Sequence, residues 1–239
     1  MIPPSVRMIA LDAAGTIMEP EPAVHHAYCD VANRFGYSLN PTEIKHRFPA
    51  AMNEFFPMSW DPARASTDHQ QQWSAWRGLV SQVLHEIPAE EIEPVFSALW
   101  AHFRLPHHWR IYDDVEPFLQ TLKSKGYGIC VVSNFDRRLH EIAAGRPELA
   151  TVDHWFASVD VGYQKPCAEF FRSIEQRLNL QSHELLMIGD SLQADYFGAL
   201  HANWHARWLQ RIPDTPLVSR SDRPPPSEIR TIQSLKDIL

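Results

Sequence analysis

At 239 residues the chain is long enough for one large domain or a core with an inserted subdomain, and 44% hydrophobic with 21% charged residues is the make-up of a globular protein. A formal net charge of −7 without any run of Lys and Arg argues against nucleic acid or an anionic membrane as a partner. Three cysteines without metal-site spacing, no basic leader and no bilayer-length apolar stretch suit a reducing, cytoplasmic setting.

The first element is Met8-Ile9-Ala10-Leu11, a short apolar run that ends on Asp12 and passes into Ala13-Ala14-Gly15-Thr16. Such a run reads as a strand of a parallel sheet covered on both faces. Gly15 allows a backbone geometry suited to close approach of a ligand, and Thr16 adds a hydroxyl. A proline-rich connector, Glu19 to Pro22, leads into a helical region. Val24, Ala27, Tyr28, Val31 and Phe35 share one helical face. Asn40, Pro41 and Glu43 start a second helix that Pro49 is expected to break or kink. A third begins at Thr67 or Asp68 and carries Trp73, Trp76, Val80, Val83, Leu84 and Ile87, ended by Pro88; Ile92 to Phe103 repeat the period in a fourth. Four such helices can close a small bundle.

Beyond His107 helices alternate with strands. Val115 to Leu122 read as a helix, Tyr127 to Val132 as a strand, and Trp155 to Val161 as a further strand. Phe170 to Leu178 are helical, Leu185 to Ile188 form a strand, a helix spans Asp195 to Ala202, and a last strand lies near Trp204 to Leu209. The alternation predicts an α/β fold with a doubly wound parallel sheet, which binds ligands beyond the carboxyl ends of its strands. Asp12, Ser133 and Asp190 all fall at that end. Pro224 to Pro226 read as a surface loop before a short closing segment, Ile229 to Leu239.

In order along the chain, Asp12, Ser133-Asn134, Lys165-Pro166 and Gly189-Asp190-Ser191 with Asp195 each follow an apolar run. This ordered set resembles the four motifs of the haloacid dehalogenase-like hydrolases, of the type with a helical cap. The segment Ser133-Asn134-Phe135-Asp136-Arg137-Arg138-Leu139 is similar to the subgroup typified by haloacid dehalogenase-like hydrolase domain-containing protein three. The resemblance implies a Rossmann-like core over 1–18 and 108–239 with a helical cap over 19–107. Cap opening about connectors near Glu19 to Pro22 and His107 to Arg110 would gate entry.

The chemistry expected is hydrolysis of a phosphate ester on a small molecule, with Asp12 as a carboxylate nucleophile. The backbone of Ala13 to Gly15, with Thr16, Ser133 and Asn134, would donate to the phosphoryl oxygens, and Lys165 would offset charge. A magnesium ion, Mg2+, would take the carboxylates of Asp12 and Asp190 and, by resemblance, the carbonyl of Ala14. Asp195 would be a second acid that contacts the ion through water or orients Lys165, and Ser191 would cap a helix or touch a metal-bound water.

Ala14 departs from the family pattern. Phosphatases of this superfamily usually carry there a second Asp that serves as general acid and base, a function alanine cannot perform and whose loss typically costs about a hundred- to ten-thousandfold in rate. Three readings follow. One is a phosphohydrolase with another proton donor, such as His25 or His26 at the cap entry, or with substrates that have good leaving groups. Another is different chemistry on the same scaffold. Haloacid dehalogenases lack the acidic fourth motif that Asp190 represents, and a phosphonatase-like reaction would require Lys45 as a Schiff-base lysine, among solvent-facing neighbours. The third is a weakly active or inactive member that binds a phosphorylated ligand or a protein. The aromatic residues Tyr28, Phe55, Phe56, Trp60 and Trp73 are expected mainly to build the bundle, and the chain is expected to be a monomer or homodimer.

Overall fold

The computed structural model describes residues 1–211 and 229–239, so the proline run at 224–226 lies outside the described residues. Six strands form one parallel sheet in the order β5-β4-β1-β6-β7-β8, built from β1 (Met8–Leu11), β4 (Gly128–Ser133), β5 (His154–Ala157), β6 (Leu185–Gly189), β7 (His205–Leu209) and β8 (Thr231–Ile232). β1 is central, with Leu11 level with Val131 on one side and Ile188 on the other. The chain winds outward from β1 to β4 and β5, then crosses to β6, so the direction of winding changes beside β1. The crevice at such a switch is where ligands of open α/β sheets bind.

Strand alternation sorts the core into two layers. Ile9, Leu11, Ile129, Val131, Leu186 and Ile188 face one apolar cluster, and Met8, Ala10, Cys130, Val132, Leu185 and Met187 face the other. Helices α6 (Val115–Ser124) and α7 (Arg138–Ala144) cover the first face. Helix α9 (Ala168–Leu178) and the short α10 (Gly198–His201) cover the second. A single turn, α8 (Ser158–Val161), follows β5, where the sequence led us to expect continued strand.

The inserted segment contains α1 (Val24–Arg34), α2 (Pro41–Phe55), the one-turn α3 (Pro62–Ala65), α4 (His69–Val83) and α5 (Ile92–His102). Tyr28, Val31, Ile44, Leu79, Val80, Val95, Phe96 and Leu99 gather in a third apolar cluster separate from the sheet. Asn40 and Asp68 cap α2 and α4 by accepting from Thr42 and Gln71 at 2.9 and 2.8 Å. Pro49 does not end α2, which runs six residues beyond it to Phe55. Burial of Ile44 and Ala51 on either side of Pro49 holds the helix against a proline penalty of about 3 kcal/mol.

The two segments expected as plain connectors are paired with each other. β2 (Met18–Pro20) and β3 (Trp109–Ile111) form an antiparallel ribbon with Glu19 opposite Arg110. The reason lies in its ends: Met18, Trp109 and Ile111 are buried in the first core cluster, which draws both segments onto that core. Among the described residues no helix is long and apolar enough to cross a membrane.

Candidate active site

Asp12 leaves the end of β1 into a turn closed by Gly15, whose φ of 84° is the left-handed region that favours glycine. A Cβ on Gly15 would lie 2.5 Å from the carboxylate of Asp190, so glycine is also what lets the first strand end approach the fourth motif. The turn spends the N–H of Gly15 on the Met18 carbonyl at 2.8 Å and those of Thr16 and Ile17 on the Ala13 carbonyl at 3.2 and 2.9 Å. The N–H groups of Ala13 and Ala14 have no partner among the described residues. Ala14 is partly exposed there, whereas Ala13 is fully buried.

Thr16 is fully buried and belongs to Asp190. Its hydroxyl accepts from the Asp190 N–H at 3.1 Å and donates to the Asp190 carboxylate at 3.2 Å. Arg211 donates to the Thr16 carbonyl at 3.0 and 2.7 Å and to both oxygens of Asp114, while its guanidinium lies 4.0 Å from the centre of the Tyr112 ring. Thr16 was expected at the phosphoryl group; the structure commits its hydroxyl to positioning Asp190. Neither Arg211 nor Asp114 was flagged from sequence, because their roles depend on contacts distant along the chain.

Lys165 is 2% exposed and its Nζ donates to Asp12 Oδ1 at 2.7 Å, Asp195 Oδ1 at 2.6 Å and the Val132 carbonyl at 2.8 Å. Three acceptors use its three protons. Burial would depress this lysine, but the two carboxylates outweigh it and hold the ammonium above its ordinary pKa. Asn134 grips the same residue by its backbone, accepting from the Lys165 N–H at 2.7 Å and donating to its carbonyl at 2.8 Å. Its oxygen and one amide hydrogen are thereby taken up by Lys165, whereas the hydroxyl of Ser133, buried at the end of β4, has no partner among the described residues.

Asp195 has both oxygens engaged, one by Lys165 and the other by the Ser191 N–H at 2.9 Å. A side chain at Gly189 would collide with it. Ser191 caps the π-helical turn Leu192–Phe197 by accepting from the Ala194 N–H at 3.1 Å. Asp12, Asp190 and Asp195 each offer an oxygen within 4.8 Å of the others, a cluster that could hold a metal ion. Burial first, then the charges of Asp12 and Asp195, push Asp190 up to about 8. Burial also raises Asp195, to about 6, against the pull of Lys165.

The other residues considered from sequence make no hydrogen bond to this cluster among the described residues. Ala14 packs against the core and its carbonyl accepts no bond from the described residues. His25 and His26 open α1 with ring centres 4.3 Å apart, and Lys45 is exposed on α2. None of the three is bonded to Asp12, Lys165, Asp190 or Asp195.

Asp12, with one oxygen tied to Lys165, thus lies beside Asp190 and Asp195 at the switch point of the parallel sheet, where ligands of such folds bind. The chain belongs to the haloacid dehalogenase-like hydrolase family, whose model matches residues 6–203. It is 28% identical over 207 residues to haloacid dehalogenase-like hydrolase domain-containing protein 3 of Bos taurus, covering 84% of this chain and 80% of that one. It is 24% identical over 234 residues to phosphoserine phosphatase of Thermus thermophilus, covering 86% and 89%. Among solved structures, a defluorinating L-2-haloacid dehalogenase shares the fold with a TM-score of 0.77 at 19% identity, covering 98% of this chain and 96% of that one. A phosphatase of the same superfamily from Thermococcus onnurineus gives a TM-score of 0.65 at 20% identity, with the same coverage. Phosphatases and dehalogenases thus both stand among its relatives in fold.

Proposed function

We propose that the protein is a magnesium-dependent phosphohydrolase of a small phosphorylated metabolite, with Asp12 as nucleophile and the helical bundle as its cap. The observation that carries this reading is a charge imbalance: three carboxylates converge within 4.8 Å around a single ammonium. Carboxylates that repel one another at a partly open strand end need a cation or a proton. The oxygen donors, Asp12, Asp190 and the carbonyl of Ala14, are the set magnesium prefers, and these residues would hold it. When bound, the ion would offset the charge of the phosphoryl oxygens.

Lys165 holds Asp12 Oδ1, which leaves Oδ2 to attack phosphorus. The new bond forms as the phosphorus–oxygen bond to the leaving group breaks, and that oxygen departs with the electron pair. The N–H groups of Ala13 and Ala14 and the Ser133 hydroxyl are the donors for the phosphoryl oxygens. Water then attacks the aspartyl phosphate, releasing inorganic phosphate and a proton and restoring Asp12. Ala14 moves no proton, so substrates whose leaving oxygen is stable as an anion suit the site best.

Ala14 also favours a second reading, retention of a phosphorylated ligand with little turnover. Hydrolysis of p-nitrophenyl phosphate with and without magnesium, beside Asp12→Asn, separates the two. Turnover that vanishes in both controls supports the phosphohydrolase. Absent turnover together with thermal stabilisation by inorganic phosphate plus magnesium supports the binding reading, and neither effect would overturn both.

A further inference from the structure

Two of the contacts between the helical bundle and the core lie close to the loops that carry the site. In the first, the exit of α3 runs antiparallel to the segment before Lys165, with Ser66 bridging Tyr163. The Thr67 N–H donates to the Gly162 carbonyl at 3.0 Å, and the Gln164 N–H donates to the Ala65 carbonyl at 2.9 Å. The bundle fixes its own side of this pairing, because the Thr67 hydroxyl accepts from the Gln72 amide at 3.0 Å and both residues are buried. In the second contact Arg138 of α7 stacks 3.7 Å from the ring centre of Trp100 on α5. Arg138 is held by Asp136, two residues beyond the Asn134 that grips the Lys165 backbone.

We propose that the helical bundle is a positioning element for Lys165: its 65–67 edge, paired with 162–164, holds the loop from which the ammonium reaches Asp12 and Asp195. A lysine has four rotatable side-chain bonds, and placing Nζ on three acceptors at once requires a fixed backbone. Between α8 and α9 that backbone has no regular structure of its own. Its partners are Ala65 and Thr67 from the bundle and Asn134 from the core. The bundle therefore acts on the site through backbone hydrogen bonds, and Thr67 is a positioning residue that touches no reacting atom.

The test uses accessibility of Lys165 to acetylation, read by peptide mass spectrometry against the exposed Lys45 and Lys236, together with hydrogen exchange at the Gln164 amide. Thr67→Pro removes the donor to Gly162 and follows Ser66, whose extended backbone suits a residue before proline. Thr67→Val keeps the N–H but loses the buried bond to Gln72, and Thr67→Ser keeps both. The expected result is labelling of Lys165 and exchange at Gln164 that rise by about tenfold or more in the proline variant, less in the valine variant, and not at all in the serine variant. Faster exchange at Gln164 with Lys165 labelling unchanged would overturn the proposal, in either variant if the other fails to fold. Unchanged exchange in both would also count against it, because the pairing would then not depend on Thr67. The proposal takes Lys165 as a site residue from the reading above, but neither measurement needs turnover, so the two stand or fall separately.

Discussion

Lys165 and Arg138 are both buried cations at the carboxyl end of the sheet, neutralised in different ways. The guanidinium of Arg138 meets one carboxylate, Asp136, in a two-pronged contact at 2.8 and 2.6 Å, and an indole ring closes its face at 3.7 Å. There one charge answers one charge. At Lys165 a single ammonium meets Asp12 and Asp195, with Asp190 in the same cluster. The balanced pair leaves nothing for a ligand to do and joins bundle to core. The unbalanced cluster holds excess negative charge, which is stable only with a proton or a further cation. Within one neighbourhood, imbalance is what marks the place for chemistry.

The largest effect should come from Lys165→Met, which leaves Asp12 and Asp195 buried without a counter-charge. We expect a loss of about 3–5 kcal/mol in urea unfolding at neutral pH and a fall in aryl phosphate turnover of about a hundredfold or more. Arg138→Met should cost about 3 kcal/mol for the same reason, a stranded carboxylate. Here turnover should stay within about tenfold of wild type, since among the described residues the Arg138 guanidinium donates only to Asp136. The double replacement Asp136→Leu with Arg138→Met should destabilise less than Arg138→Met alone, because it buries no charge. Equal losses of turnover at Lys165 and Arg138 would erase the distinction between the two cations.

At the proposed magnesium site, metal and protons would compete for the acidic groups of the unbalanced cluster. Asp190, ordinarily near 3.8, is lifted to about 8, so the folded state binds the extra proton between those limits. Its contribution to metal-free stability therefore falls as pH rises across that window, and Asp190→Asn should flatten the slope in urea unfolding. Magnesium should raise the melting temperature of the wild type more at pH 8 than at pH 6, and should leave Asp190→Asn nearly unmoved. A wild-type response to magnesium that is independent of pH would separate the metal site from the raised carboxyl.

Much of this arrangement was legible in the chain. Strand runs such as Met8 to Leu11 and Leu185 to Gly189 are bounded by turn residues, and each delivers its carboxylate to the same edge because parallel strands all end there. The bundle helices showed in their apolar period, with Asn40 and Asp68 as readable caps. What stayed hidden was decided by distant partners. Thr16 and Asn134 were read as phosphate donors from their place beside the strand ends; the partners the sequence could not show are Asp190, which the Thr16 hydroxyl fastens, and the Lys165 backbone, which Asn134 holds with its oxygen and one amide hydrogen. The β2–β3 ribbon was missed because three-residue strands, one of them ending on Pro20, carry no period to detect. Pro49, expected to break or kink α2, does not end it, since local propensity gave way to packing within the bundle.

The smallest effect is expected where the bundle returns to the sheet, at a titratable group that is neither paired nor clustered with acids. His102 at the end of α5 is 6% exposed, stacked 3.6 Å from His108, and has no hydrogen-bond partner on either ring nitrogen among the described residues. Burial first, then His108 and Arg34, lower its pKa from 6.5 to about 4, with Asp30 pulling the other way. The unfolded chain therefore takes up a proton in a range where the folded protein refuses it, and stability falls as pH drops from 6.5 toward 4. This slope is opposite in sign to that of Asp190. His102→Leu should flatten it in urea unfolding followed from pH 7 to about pH 4.5, with no change in the magnesium response. An unaltered slope would mean that acid acts on the fold elsewhere than at this junction.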